Sequence, residues 1–269
     1  MEEKKHPLYE RAEENRKAFA EQVKQQQQIS SNMNKISKRI AVWSGKGGVG
    51  KTFFSVQLAY SLKKFTKKRI GILDADIDCP NITKLMKIED KLSGVQKENL
   101  IYPVEKDGIQ TVSMGSVFPK EDDAVTWRGP MISGTITQFL IMVKWAVDYL
   151  VIDMPPGTSD APLTVAQQVK PTGLVVVTTS EPMAMLDAKR SLKFAGLMKI
   201  PVLGIVENMS GDIFGEGGGE ELAKEFTVPI LGSIPLDKKI QEYVRVGKPL
   251  CETKEYKKLF ERIVEKLEK

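Results

Sequence analysis

Cysteine and histidine are nearly absent. Cys79 and Cys251 are the two cysteines, and His6 is the one histidine. The cysteines form no CxxC pair, so one chain offers neither a zinc ribbon nor four thiolates for an iron–sulfur site. With His6 in a polar N-terminal stretch, histidine triads and histidine-ligated metals are excluded from the rest of the chain. Long apolar runs are also missing. The longest, around residues 139–147, is interrupted by Lys144 and is too short to span a bilayer. No apolar signal-peptide core opens the chain, and Glu2, Glu3, Glu10, Glu13 and Glu14 make its start too acidic for a transit peptide. These absences predict a soluble, cytoplasmic protein of a reducing compartment. Charge of one sign is in little excess: 40 basic and 35 acidic residues leave +5, too weak a balance to imply nucleic acid.

What remains is globular in composition, with 269 residues, 41% hydrophobic and 28% charged. That length suits one parallel α/β unit. Residues 1–38 differ from the rest. They alternate charges, carry Gln25 to Gln28, and have sparse apolar residues such as Leu8, Tyr9, Phe19 and Val23. They are read as a charged arm, helix-prone from Pro7, either exposed or docking on a partner. Residues 39–269 are read as one domain. Strands are expected at Ile40–Ser44, Arg69–Asp74, Ile109–Met114, Tyr149–Asp153, Gly173–Thr179, Val202–Glu207 and Pro229–Ile234. Several are apolar throughout, as strands covered on both faces are. Helical patterns at Lys51–Lys64, Met131–Val143, Met183–Leu197 and Glu220–Glu225 alternate with them. The expectation is a doubly wound, mainly parallel sheet with ligands beyond the carboxyl ends of the strands.

Gly45, Lys46, Gly47, Gly48, Val49, Gly50, Lys51 and Thr52 follow a strand and open a helix, the context a phosphate loop requires. Glycines let successive N–H groups face phosphate oxygens, and the helix N-terminus adds its positive end. Lys51 is expected on the β- and γ-phosphates of ATP and the Thr52 hydroxyl on Mg²⁺. Asp74 and Asp76 end one buried strand, and Asp153 ends another, with Gly157 just beyond. Asp153 fits a Mg²⁺-holding role, direct or through water. Asp76 is the candidate for orienting the attacking water, and Gly157 for bringing its N–H to the γ-phosphate. Aspartate is also common in turns after strands, which stands as the alternative for any one of them.

Lys46 is not needed by an ordinary phosphate loop. The string KGGVGKT resembles the deviant Walker A class of MinD, ParA, the nitrogenase iron protein and Mrp-type proteins. Trp127-Arg-Gly-Pro-Met, Asp153-Met-Pro-Pro-Gly-Thr-Ser-Asp and Val206-Glu-Asn-Met-Ser closely resemble the Mrp/ApbC family, and the match runs from about Ile40 to Leu250. The resemblance implies a P-loop ATPase that works as an isologous homodimer, turns over slowly and transfers iron–sulfur clusters to apoproteins. It implies that Lys46 crosses the interface to the partner's nucleotide, that Asn208 contacts adenine and that Pro235 lies beside the ring. Taken alone, Asn208 could as well be a turn residue. No chemical role is assigned to Trp127 or Arg128.

One departure stands out. Cluster-bearing members carry CxxC just after Glu-Asn-Met-Ser, whereas here Ser210 leads directly to Gly211-Asp212-Ile213-Phe214. No iron–sulfur ligand is assigned, and Cys79 and Cys251 are read as buried or incidental thiols, with a cluster bridged by Cys79 as the alternative. The leading expectation is therefore a Mg²⁺-dependent ATPase switch resembling cluster carriers, with apoprotein or assembly-factor clients. An ATP-gated protein-binding module and a MinD- or ParA-like positioning ATPase are the alternatives. The amphipathic stretch Glu255–Lys269 is expected to pack on the sheet, with a membrane or partner as the other reading.

Overall fold

The computed structural model describes residues 7–77, 79–88, 100–113 and 129–269. The described strands are β1 (Lys38–Trp43), β2 (Ile70–Asp74), β3 (Val104–Lys106), β4 (Ile109–Ser113), β5 (Tyr149–Asp153), β6 (Gly173–Thr178), β7 (Val202–Ser210) and β8 (Ile230–Pro235). They form one sheet in the order β3-β4-β2-β5-β1-β6-β7-β8. All neighbours are parallel except β3, which runs antiparallel to β4 at the edge. The register sets Val42 of β1 and Asp74 of β2 both opposite Asp153 of β5. Three strand ends are thereby aligned where a ligand of a doubly wound sheet sits.

The described helices are α1 (Pro7–Met33), α2 (Lys51–Thr66), α3 (Ile82–Leu85), α4 (Gly129–Met142), α5 (Asp160–Val169), α6 (Pro182–Leu197), α7 (Gly218–Glu225), α8 (Lys238–Arg245) and α9 (Lys257–Glu268). They cover the sheet on both faces. β2, β5 and β6 are buried at every position, so each feeds two cores. Ala41, Trp43, Leu150 and Ile152 pack with Phe139, Val165 and Leu192 of α4, α5 and α6. Ile40, Val42, Tyr149 and Val151 pack on the other face with Phe54, Leu58 and Phe260 of α2 and α9. Trp43 meets Phe194 edge to face, with ring centroids 4.8 Å apart. Each such fully buried apolar side chain stabilises the fold by about 1.5–3 kcal/mol before entropy is counted.

The seven expected strands are present to within three residues at their ends, Met114 and Trp127-Arg128 lying outside the described residues. β3 was not expected, because Val104-Glu-Lys has no apolar run. Helices α3, α5 and α8 were not expected either. The packing boundary also falls earlier than residue 38. Ile29, Met33 and Ile36 are buried in the α4–α5 core, and Arg39 donates from Nη1 to the Met33 and Ile36 carbonyls at 2.9 and 2.8 Å. Farther up α1, residues 15–24 are exposed, Phe19 at 67%. At the other terminus α9 buries Phe260, Ile263, Val264 and Leu267. No helix among the described residues is long and apolar enough to cross a membrane.

Candidate functional site

β1 stops at Trp43, and the chain curls through Ser44–Gly50 into α2, which opens at Lys51. Gly48 and Gly50 both have φ +84°, a conformation that side chains disfavour. A Cβ on Gly50 would lie 2.1 Å from Asn208 Nδ2, and one on Gly45 would lie 2.1 Å from the Asp187 carbonyl. The loop is held from several directions. Asn208 Nδ2 donates to the Val49 carbonyl at 2.8 Å, and Ser44 Oγ donates to the Lys46 carbonyl at 2.9 Å. Gly157 N donates to the Ser44 carbonyl at 3.1 Å, while the Trp43 indole donates to the Gly157 carbonyl at 2.9 Å.

Below the loop lies a dense group of buried charges. Lys51 Nζ sits 2.9 Å from Asp153 Oδ1 and 4.0 Å from Asp76 Oδ2. Ser55 Oγ, one turn along α2, donates to the same Asp153 Oδ1 at 2.8 Å. Asp153 Oδ2 is buried with no hydrogen-bond partner. Such an orphaned acceptor costs on the order of 1–3 kcal/mol unless a ligand, cation or water meets it. Asp74 accepts from Ile82 N at 3.2 Å, Ser113 Oγ at 3.1 Å and Asp76 N at 3.3 Å. Burial, then the neighbouring Asp153 charge, pushes its pKa up to about 8. Three carboxyl groups around one ammonium leave room for added positive charge. Thr52 stands half-buried in the first turn of α2.

Lys46 points the other way, to Glu181 Oε2 at 2.7 Å. Glu181 also caps α6, accepting from Met183 N at 3.1 Å and Ala184 N at 2.9 Å. The Lys46 ammonium first, then the cap amides, hold its carboxyl below the usual range. Both partners are over one-third exposed, so the ion pair is screened and easily exchanged. Pro235 ends β8 opposite Ser210, and Leu236 N donates to the Ser210 carbonyl at 2.9 Å. The segment after Ser210 closes in a tight turn, Gly211 and Gly215 exchanging backbone hydrogen bonds of 3.1 and 2.8 Å. Ile213 at its tip is 76% exposed. Cys79 is exposed and Cys251 buried, where burial pushes its thiol up.

Lys51, Asp76, Asp153, Gly157 and Asn208 thus meet at the glycine loop, with Lys46 turned to its own chain and the Gly157 N–H to the Ser44 carbonyl, while Pro235 stands at the end of β8 opposite Ser210. Glu181 and Ser55 were missed. Glu181 before Pro182 is the cap-then-proline signature of a helix start and could have been found. Ser55 carries no signal beyond its place one turn after Lys51.

Residues 35–268 match the family model described as ParA, NUBPL iron-transfer P-loop NTPase. An iron-sulfur cluster carrier protein of Methanocaldococcus jannaschii is 45% identical over 263 residues, covering 91% of this chain and 90% of the relative. A solved nucleotide-binding protein from Archaeoglobus fulgidus, in complex with ADP, is 36% identical at a TM-score of 0.72. The match covers 83% of this chain and 91% of that one. The cell division ATPase MinD of Pyrococcus furiosus shares the fold, at 21% identity and a TM-score of 0.66 over 87% of this chain and 99% of that one.

Proposed function

The chain belongs to the NUBPL iron-transfer P-loop NTPase family, and from that premise we propose that it is a Mg²⁺-dependent, ATP-hydrolysing switch that works as a homodimer. The observation that carries the reading is Lys51 on Asp153 at 2.9 Å beneath a glycine loop, with the second Asp153 oxygen left bare. In the reading, the loop amides of Gly45–Thr52 cradle the α- and β-phosphates and Lys51 exchanges Asp153 for β- and γ-phosphate oxygens. Asp153, one of whose oxygens is unpartnered, and the Thr52 hydroxyl are the groups that would hold Mg²⁺, directly or through water. Mg²⁺ held there would neutralise charge on the β- and γ-oxygens. Asp76, 4.0 Å from Lys51, orients the attacking water. Gly157 gives up the Ser44 carbonyl to offer its N–H to the γ-phosphate, Asn208 takes the adenine edge and Pro235 flanks it. Lys46 leaves Glu181 and reaches the partner's nucleotide. The exposed, screened pair it leaves is weak enough for a multiply charged phosphate to displace.

Relatives named as cluster carriers suggest cluster transfer to apoproteins or assembly factors as the work of the switch. The turn Gly211–Gly215 supplies no thiolate, and carboxylates or amides are poor substitutes for iron–sulfur ligands. A cluster bridging this dimer after Ser210 is therefore not part of the reading. The exposed Ile213 favours a second one, an ATP-gated module that grips a protein client through this turn. The deciding experiment combines single-turnover ATP hydrolysis with anaerobic reconstitution by iron and sulfide. Hydrolysis with far less than one cluster per dimer supports the switch. Nucleotide held unhydrolysed for many hours favours the binding module. A full cluster lost in Cys79→Ser makes the protein a carrier with relocated ligands.

A further inference from the structure

Ser180 and Glu207 have no part in the reading above, yet between them they hold one run of three residues. Gly217 N donates to Glu207 Oε1 at 3.3 Å, and Gly219 N donates to Oε2 at 2.7 Å. Between them, Gly218 N donates to Ser180 Oγ at 2.9 Å. Glu207 is 2% exposed, and Ser233 Oγ also donates to it at 3.3 Å. Its carboxylate sits at the N-terminus of α7, where the helix dipole favours negative charge. The run is packed too closely for side chains. A Cβ on Gly218 would lie 2.9 Å from Ser180 Cα, and one on Gly219 would lie 2.9 Å from Glu207 Cβ.

The next residue after each clamp holds the phosphate loop. Glu181, after Ser180, binds Lys46 at 2.7 Å near the loop's start. Asn208, after Glu207, binds the Val49 carbonyl at 2.8 Å near its end. Successive residues of a strand face opposite sides of the sheet, so β7 carries the glycine run on one side and the loop on the other. Directly after Asn208, Met209 has φ +58° and the pairing of β7 with β8 slips between Asn208 and Ser210. A non-glycine residue in that conformation persists only where its surroundings enforce it. Beyond it come the Gly211–Gly215 turn and exposed Ile213 and Phe214.

We propose that Ser180 and Glu207 are positioning residues that couple occupancy of the phosphate loop to the conformation of segment 211–219, and so to how Ile213 and Phe214 are presented. The proposal rests on the nucleotide-binding reading above. A ligand shifts a conformational equilibrium only through contacts that differ between its states. In the nucleotide-binding reading two contacts change, Lys46 leaving Glu181 and Asn208 turning to adenine, and each is one peptide bond from a clamp on the glycine run. Exchange of either contact for nucleotide moves its clamp, and the shared run makes the two clamps move together.

The test is hydrogen–deuterium exchange of the full chain without nucleotide, with ADP and with a non-hydrolysable ATP analogue, beside a direct binding titration. In the unmodified protein nucleotide should change exchange across 211–219 by roughly threefold or more. Ser180→Ala and Glu207→Gln should each keep nucleotide affinity within about threefold yet lose that change. Ser180→Ala removes only one hydroxyl and serves alone if Glu207→Gln fails to fold. Variants that keep the nucleotide-dependent change overturn the coupling, as does an unmodified protein that binds nucleotide with no change at 211–219. An unmodified protein that binds no nucleotide overturns the underlying reading and this one with it.

Discussion

The carboxyl edge of the sheet has two unlike halves. At β1, β2 and β5, buried Lys51, Asp74, Asp76 and Asp153 crowd together, and one Asp153 oxygen meets nothing. At β6, β7 and β8, buried Glu207 and Asn208 are matched to backbone groups, and the turn beyond presents Ile213 outward. The first half is electrostatically incomplete, and the second is closed on itself. Unfilled charge is tolerated where a ligand is to complete it, whereas a half that only transmits or presents has no reason to bear that cost.

The contrast places the largest expected loss in the first half. Lys51→Ala should weaken ATP and ADP binding by roughly two orders of magnitude, since charge-assisted contacts of this kind are worth about 1.5–3 kcal/mol. Unchanged affinity in calorimetric titration would end the phosphate-loop assignment. Asp76→Asn keeps shape while removing the carboxylate. Turnover per bound ATP should drop by about 100-fold with binding nearly intact, and a defect confined to binding would make Asp76 structural. Lys46 joins the halves through Glu181. Lys46→Ala should hold ADP within about threefold of the unmodified protein while losing ATP-dependent dimerisation in light scattering, and normal dimerisation would mean the lysine never leaves its own chain.

The charged half should also make nucleotide-free stability depend on pH. Asp74 titrates near 8 when folded and near the ordinary carboxyl value, about 4, when unfolded. Its folded pKa is raised, so its stabilising effect is complete below about pH 4 and is lost as pH rises through about 8. The melting temperature should therefore fall by a few degrees, roughly, between about pH 6 and 8.5, and Asp74→Asn should flatten that slope. An unaltered slope would assign the dependence elsewhere. Ile213→Ser, in the presenting half, should move stability by no more than about 0.5 kcal/mol in denaturant titration. A larger loss would show that the turn is packed rather than offered.

Much of this was legible in the residues. Unbroken apolar runs such as Tyr149-Leu-Val-Ile marked doubly covered strands, and the glycine spacing marked the loop. β3 escaped because a three-residue edge strand with charged side chains has no apolar signature. The docking of Ile29, Met33 and Ile36 escaped because their spacing is diluted by Gln25–Gln28 and the serines that follow. The clamps on Gly217–Gly219 escaped for a different reason. They depend on β6 and β7 lying side by side, a distance in space that a string of residues does not carry.

Helix α1 has a mechanical consequence. Its last turns are fixed to the domain, while Phe19 and the side chains around it touch solvent. The stretch from residue 15 to 24, exposed throughout, is a rod about 15 Å long at 1.5 Å per residue. A compact domain of this size has a radius of gyration of about 17 Å. The rod lengthens the particle without adding much mass, so drag rather than weight governs its diffusion. A single protomer should sediment more slowly, and scatter at small angles as a more extended body, than a compact particle of 30.0 kDa.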